Sequence, residues 1–203
     1  MKIVKIEYIS DIEDWSKSED YRSIESDIKK GIQKVVWPKG SDGFFIDPAS
    51  KGKGRGEGNG VKPIKETFIE HLESQGWSKE LRINEDPVIK RGPLDAAKIT
   101  PSGTFAVEWE TGNISSSHRA LNKICLGTLR GNLIGGALIL PSKALYNFLT
   151  DRVGNYPEIE PYLPLWKSIP FPKGLIMIIV IEQDGLKEGV GRIPKGTDGR
   201  ALL

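Results

Sequence analysis

Apolar and polar side chains alternate over residues 104–110, so a β-strand here would carry Glu108 and Glu110 on one face and bury the other. After a turn at residues 111–113, the apolar spacing lengthens to that of a helix, with the serines at 115–117 as candidate caps and Leu129 near its end. The free N–H groups and partial positive charge of a helix N-terminus suit a phosphate. The pattern therefore predicts two carboxylates directly beside a phosphate-binding helix end.

The remaining apolar periodicities predict three more helices and several strands. Helices are expected from about Ser18, Pro63 and Ser142, the last reaching Asp151-Arg152, and extended segments at residues 2–9, 95–100, 133–140 and 174–181. A Pro101-Ser102-Gly103 turn joins segments 95–100 and 104–110 into an antiparallel hairpin, which brings Asp95 toward Glu108. This order predicts an α/β fold, a mixed central β-sheet flanked by helices, in a single domain over residues 1–203.

Three segments lack such periodicity. Residues 48–60 alternate glycine with Lys51, Lys53 and Arg55, which predicts a mobile basic loop that either orders on a phosphate backbone or is a solvated linker. The proline-rich residues 155–166 are expected to form a long connection with one helical turn. Residues 185–203 are expected to form a C-terminal arm outside the core.

The composition narrows the class of protein. The 203 residues carry a formal net charge of +2, so a nucleic-acid partner would require locally segregated positive charge. The chain has neither a bilayer-length apolar run nor the apolar core of a signal peptide, which predicts a cytoplasmic protein with no membrane partner. The single cysteine, Cys125, falls on an apolar helix face and is expected to pack there. A metal would therefore need oxygen ligands, and these suit Mg²⁺.

Asp95, Glu108 and Glu110 are candidate side chains for such a metal site. A bound Mg²⁺ polarises a phosphate and lowers the pKa of a water, which is the chemistry of phosphodiester hydrolysis. Acid pairs on strands are also common as solvated side chains. The Asp151-Arg152 dipeptide can likewise be a helix-terminal ion pair or a reader of G·C base edges. The residues alone leave these alternatives open.

Two patterns in the chain resemble those of known nucleases. The acids of Pro93-Leu94-Asp95 and Glu108-Trp109-Glu110 resemble the PD-(D/E)xK nuclease pattern, with Glu110 in the place of the usual lysine. The run EWETGNISSSHR at residues 108–119, followed by LNK, closely resembles the catalytic strand and helix of the BamHI-like type II restriction endonucleases, which share that glutamate. Further matches follow in the same order at GVKPIKE, GPLD, LTDRV and IPKGTDG.

The resemblance implies a Mg²⁺-dependent active site. Asp95 and Glu108 would hold the metal, Glu80 would be an additional ligand, and Glu110 would act as general base or orient the attacking water. The resemblance also implies that Mn²⁺ substitutes for Mg²⁺ and that Ca²⁺ supports DNA binding without cleavage.

The resemblance further implies that a homodimer recognises double-stranded DNA. The expected site is the palindrome GGATCC, cut after the first G to leave 5′ overhangs. The dimer would form through the helix that begins near Ser115, with Leu121, Cys125 and Leu129 on one side. The expected base readers are Asn113, Ser115, Arg119, Asp151 and Arg152 in the major groove, with Gly196 and Asp198 in the minor groove.

Two other functions are compatible with the same residues. A sequence-specific DNA-binding protein of this fold without cleavage activity would keep the base readers, although the retained Asp95, Glu108 and Glu110 argue for hydrolysis. A metal-dependent phosphoesterase acting on small substrates would keep the acids and have no need of Arg152. Cleavage assays on DNA and on small esters separate these classes.

Overall fold

A six-stranded mixed β-sheet organises the part of the chain that the computed structural model describes, residues 1–52, 57–82, 92–150 and 153–195. The strands are β1 (Lys2–Ile12), β2 (Phe45–Ile46), β3 (Ser78–Leu81), β4 (Leu94–Thr100), β5 (Gly103–Trp109), β6 (Gly135–Pro141), β7 (Gly174–Glu182) and β8 (Gly185–Leu186). The sheet order is β1-β7-β6-β5-β4-β3, in which β5, β6 and β7 are parallel and the other neighbours antiparallel. The predicted α/β fold with a mixed central sheet is confirmed.

Helices cover both faces of this sheet. They are α1 (Glu19–Lys34), α2 (Lys62–Ser74), α3 (Ile114–Leu129), α4 (Lys143–Tyr146), α5 (Tyr156–Ile159) and α6 (Leu163–Lys167). Successive residues of β7 point to opposite faces, so Met177 shares a buried cluster with α1 and α2, while Ile178 shares one with α3 and α6. Each large apolar side chain buried in this way contributes roughly 1.5–3 kcal/mol. Among the described residues, no helix is long and apolar enough to cross a membrane.

The helix after the β4–β5 hairpin begins before the serines that were expected to cap it. Asn113 has an extended backbone, and its side-chain oxygen accepts a hydrogen bond from the Ser116 N–H at 3.0 Å. That is the geometry of a helix N-cap, so the prediction of a serine cap was wrong. Ser115 is instead left exposed in the first turn.

The structure of three other segments differs from the one that local periodicity predicts. Residues 155–166 contain more helix than predicted, α5, a 3₁₀ turn and α6, because a proline in the first turn of each favours a helix start. The helix capped by Ser142 is shorter than predicted and ends at Tyr146. Residues 185–195 are not a free arm, since β8 pairs with β2 and Ile193 lies in the core.

The prediction of a mobile loop at residues 48–60 was wrong for the part that is described. Asn59 is buried, and its side-chain amide donates to the Phe148 carbonyl at 2.8 Å and to Ser50 Oγ at 3.0 Å. Its side-chain oxygen accepts from the Ile193 N–H at 2.9 Å. One asparagine thus joins three segments of the chain, and its backbone forms an isolated parallel bridge with Leu149 after α4. Lys53 and Arg55 lie outside the described residues.

Candidate active site

The β4–β5 hairpin brings three carboxylates into one open groove. Ala96 pairs with Val107 in antiparallel register, so Asp95 and Glu108 lie opposite each other on the same face. One oxygen of Asp95 accepts a hydrogen bond from the Trp109 N–H at 2.8 Å, which fixes the orientation of the carboxylate. Asp95, Glu108 and Glu110 all line the groove. The predicted hairpin and the approach of Asp95 to Glu108 are confirmed.

Burial changes the acidity of both glutamates. Glu108 is 2% exposed, and burial together with the Asp95 carboxylate raises its pKa to about 7, although Lys123 partly offsets this effect. The pKa of Glu110 is also raised, first by burial and then by Asp95. Both groups therefore hold a proton more readily than a glutamate in water.

Two lysines from different helices contact the groove carboxylates. Lys65 of α2 donates to Asp95 Oδ1 at 2.7 Å. Lys123 of α3 forms an ion pair with Glu108 Oε1 and donates to the Pro93 carbonyl at 3.0 Å. The Lys123 side chain is only 14% exposed, so its contact is less screened by water than one at the surface. The acids are thus neutralised in part by ammonium groups of the same chain.

The groove continues along the N-terminal half of α3. Ser115 and Arg119 are exposed there, one helical turn apart, and both line the groove. The Arg119 guanidinium donates to Ser116 Oγ at 3.2 Å. His118 also reaches the groove, but its ring packs edge-on against Tyr162 with centroids 4.8 Å apart. The face of α3 that carries two predicted base readers therefore opens directly onto the carboxylates.

A hydrogen bond ties the turn between Glu110 and α3 to a segment distant in the chain. The Gly154 N–H donates to the Gly112 carbonyl at 2.7 Å. A Cβ atom on Gly154 would lie 2.8 Å from Ser117 Oγ and 3.1 Å from Ile114 Cα, so only glycine allows this approach without a shift. The chain just after residue 152 is consequently fixed to the start of α3.

Other predicted site residues lie outside the groove or outside the described part. Glu80 lies on β3 across from Asp95, and its φ of 53° is in the left-handed region. Its side chain is exposed and is not among those lining the groove. Four predicted DNA-contacting residues fall outside the described residues: Asp151, Arg152, Gly196 and Asp198.

The predicted dimer face of α3 needs a correction. Leu121 and Cys125 are buried against the protein's own sheet, together with Leu138 of β6. They cannot also contact a second subunit, so that part of the prediction was wrong. Burial also raises the pKa of the Cys125 thiol, in keeping with the packing role expected for it. Leu129 at the end of α3 is 39% exposed.

The donor set of the groove suits a hard divalent cation. Its three carboxylates offer the oxygen ligands that Mg²⁺ prefers. In the part of the chain that is described, no three acidic, histidine or cysteine side chains converge closely enough to hold a metal ion. Lys65 and Lys123 occupy oxygens of Asp95 and Glu108. The residues fit the ion chemically, and an ion at these two oxygens would compete with both lysines.

No role was predicted for Lys65 or Lys123. The sequence could have indicated a site role for Lys123, because Lys123 follows Arg119 by one helical turn and Arg119 follows Ser115 by another. Helical periodicity therefore places all three on one face. No sequence pattern indicates such a role for Lys65, since only the packing of α2 against the sheet brings this residue to Asp95.

Known proteins similar to this chain identify its family. The chain matches the family described as restriction endonuclease BamHI over residues 1–200. It is 48% identical over 177 residues to the type II restriction enzyme OkrAI of Oceanobacter kriegii, covering 87% of this chain and 88% of that protein. It is 35% identical over 191 residues to the type II restriction enzyme BamHI of Bacillus amyloliquefaciens, covering 91% and 85%. Restriction endonuclease BglII, in a crystal structure with a DNA 16-mer, has a similar fold, with a TM-score of 0.64 and 14% identity over 91% of this chain and 79% of that one. The chain therefore belongs to the BamHI family of type II restriction endonucleases.

Proposed function

We propose that this protein is a Mg²⁺-dependent endonuclease that hydrolyses double-stranded DNA at GGATCC, after the first G, and leaves 5′ overhangs. The observation that carries the proposal is the groove itself, where Asp95, Glu108 and Glu110 lie beside the exposed N-terminal face of α3. The base sequence and cut position come from the resemblance to the BamHI-like enzymes. The 35% identity to BamHI over most of both chains supports that transfer.

The carboxylates have distinct proposed roles. Asp95 and Glu108 would hold Mg²⁺, with Glu80 as an additional ligand from β3. When bound, the ion polarises the scissile phosphate and lowers the pKa of a water. Glu110 would orient the attacking water and accept its proton, and the raised pKa of its carboxyl suits a proton acceptor near neutral pH. Gly112 leaves room for that carboxylate, since a Cβ there would lie 3.2 Å from Glu110 Oε2.

Base recognition is proposed to come from two segments that act together. Asn113, Ser115 and Arg119 read the inner base pairs from the end of α3. Arg152 donates to guanine O6 and N7, and Asp151 accepts from cytosine N4. The bond between Gly154 and Gly112 supports this pairing of segments. Gly196 and Asp198 are proposed to contact the minor groove.

A palindrome is matched by two-fold symmetry, so we infer a homodimer that forms through the α3 side of the molecule. Leu129 is exposed there, and Tyr162 just before α6 and Leu165 within it are 51% and 64% exposed. A contiguous patch of exposed apolar side chains is typical of a protein–protein contact, and we propose that these three belong to one. The contact rests on this surface and not on the buried Leu121 and Cys125.

Digestion of a plasmid with one GGATCC site tests the proposal. The wild-type protein should linearise it with Mg²⁺ and leave a matched plasmid with one altered base pair intact, and sequencing of the ends reports the cut position. Glu108→Ala should bind a GGATCC duplex in Ca²⁺, as judged by gel shift, and cleave neither plasmid. Sedimentation measures whether the active species is a dimer.

Folded wild-type protein that leaves the plasmid uncut across a range of salt concentrations would overturn the proposed activity. If the same protein still shifts the GGATCC duplex, the chain is a DNA-binding protein of this fold without cleavage activity. Hydrolysis of small phosphate esters that survives Arg152→Ala, without cleavage of DNA, would instead indicate a phosphoesterase.

A further inference from the structure

Two metal-ligand candidates in the groove already have cationic partners from the same chain. Lys65 Nζ lies 2.7 Å from Asp95 Oδ1, and Lys123 forms an ion pair with Glu108 Oε1. The other Asp95 oxygen accepts from the Trp109 N–H, so the carboxylate cannot turn to offer a free oxygen without losing that bond. A cation that binds Asp95 Oδ1 or Glu108 Oε1 therefore competes with the lysines for these oxygens.

The displacement has an electrostatic cost. A divalent ion bound to Asp95 and Glu108 would lie within a few ångströms of any ammonium group that remained in place. At about 4 Å such like charges still repel each other appreciably at the effective dielectric of a protein surface. We therefore expect both lysines to move away from the carboxylates when the ion binds, and each would be stabilised by a new anionic partner. Lys123 needs it most, since its side chain is only 14% exposed to water.

A DNA phosphate can be that partner. Lys123 lines the same groove as Ser115 and Arg119, the face on which the proposed function places DNA. Lys65 contacts Asp95, which lines the groove, and its side chain is 39% exposed. Lysine ammonium groups are common phosphate ligands, because a compact charge with three donors matches phosphate oxygens. Each lysine could thus exchange a carboxylate for a phosphate without crossing the molecule.

We propose that Lys65 and Lys123 are internal counter-ions that make metal binding depend on DNA. Without DNA they hold Asp95 and Glu108 and keep the affinity for divalent ions low. When the duplex enters the groove, its phosphates take over the ammonium groups and free the carboxylates for the metal. The inference rests on the proposed function, and it makes Lys65 and Lys123 positioning residues and not catalytic ones.

Titration calorimetry with Ca²⁺ tests this inference without any cleavage. Wild-type protein, Lys65→Met, Lys123→Met and the double variant are titrated in alkaline buffer, alone and with a GGATCC duplex. Methionine keeps most of the aliphatic length and removes the charge. In the absence of DNA, each single variant should bind Ca²⁺ about tenfold more tightly than wild type, because a charge-assisted bond no longer competes.

The duplex provides the second readout. Coupling between two ligands is reciprocal, so the factor by which DNA tightens Ca²⁺ binding equals the factor by which Ca²⁺ tightens DNA binding. This factor should be large in the wild type and smaller by at least about tenfold in the double variant. Lys98→Met is the matched control, because Lys98 also pairs with a carboxylate, Asp27, but outside the groove. It should leave both the Ca²⁺ affinity and the coupling factor unchanged.

Equal or weaker Ca²⁺ binding by folded Lys65→Met and Lys123→Met in the absence of DNA would overturn the inference. An unchanged coupling factor in the double variant would do the same. If Lys123→Met fails to fold, the more exposed Lys65 carries the test. Failure of the proposed function has a different signature, since wild-type protein would then leave GGATCC plasmid uncut whatever the Ca²⁺ titrations show.

Discussion

Glu108 combines deep burial with a proposed task that requires a negative charge. Burial and the Asp95 carboxylate raise its pKa to about 7 from a usual value of 4.5. The folded protein therefore binds this proton more tightly than the unfolded chain does. The resulting stability is fully present below the usual glutamate pKa and is lost as pH rises through about 7. Without metal, the ionised Glu108 carboxylate thus lowers the stability of the folded protein at neutral and alkaline pH.

Glu108→Gln should stabilise the protein in EDTA. The amide mimics the protonated carboxyl, so the free energy of unfolding at about pH 8 should rise by roughly 1–2 kcal/mol. The gain should shrink toward about pH 5, where the wild-type carboxyl is itself protonated. Urea denaturation at several pH values measures this, with Glu188→Gln at an exposed position as the control. A loss of stability at pH 8 would contradict the assignment of burial as the dominant cause.

Asn113 has both a structural role and a proposed recognition role, and substitutions can separate them. Asn113→Ala removes the cap of α3 and should lower the free energy of unfolding by about 1 kcal/mol. It should also lower the rate of GGATCC cleavage. Asn113→Asp keeps a capping oxygen and loses the amide donors. It should retain stability and still lose cleavage. Thermal melts and cleavage rates distinguish the two effects, and full activity of the aspartate variant would exclude Asn113 as a base reader.

At the scale of elements, the start of α3 is the point where several parts of the site meet. β5 delivers Glu108 and Glu110 to one side of it, and the segment after α4 is bound to it through Gly154 and Gly112. The close approach at Gly154 leaves no space for a side chain. Small changes in this contact should therefore move α3 relative to the carboxylates.

Gly154→Ala tests how tightly this contact positions the site. The added methyl group would press on Ser117 Oγ and the Ile114 backbone, which should cost about 1–3 kcal/mol of stability and reduce the cleavage rate. Ser117 Oγ is buried and has no hydrogen-bond partner among the described residues, so Ser117→Ala creates space at little cost. The double variant Gly154→Ala, Ser117→Ala should recover part of both losses. Absence of any recovery would show that the clash lies with the Ile114 backbone alone.

Elements with strong local signals were predictable from the sequence. The β4–β5 hairpin follows from alternation around a Pro-Ser-Gly turn, and α1 begins after Ser18, whose hydroxyl accepts from the Tyr21 N–H. The ion pair between Lys65 and Asp95 was not predictable, because it joins residues from separate elements. The burial of Ile193 depends in the same way on contacts between distant segments. The carboxylates of the candidate site could be found from sequence, whereas their cationic partners required the fold.

At the scale of the molecule, Asn59 joins segments that the sheet itself does not hold. Its side chain bonds to Ser50, to the Phe148 carbonyl after α4 and to the Ile193 N–H near the end of the described chain. Removal of a buried side chain of this kind leaves its partners without hydrogen bonds.

Asn59→Ala should therefore destabilise the whole protein by about 2–4 kcal/mol. Ser168→Ala, which removes an exposed hydroxyl bonded to a nearby carbonyl, should change stability far less. Chemical denaturation of both variants gives the comparison. Equal small effects would show that the three contacts of the Asn59 side chain contribute little to the stability of the folded state.

The contact between Gly154 and α3 also constrains how new DNA specificities can be engineered. A grafted loop of different length between β6 and α5 changes the path of the backbone that leads to the Gly154–Gly112 bond, so we expect it to disturb that bond. Side-chain exchange at the proposed base readers leaves that backbone contact in place. Libraries that vary positions 113, 115, 119, 151 and 152 with both glycines held fixed should therefore yield active enzymes with altered sites more often than libraries of loop insertions.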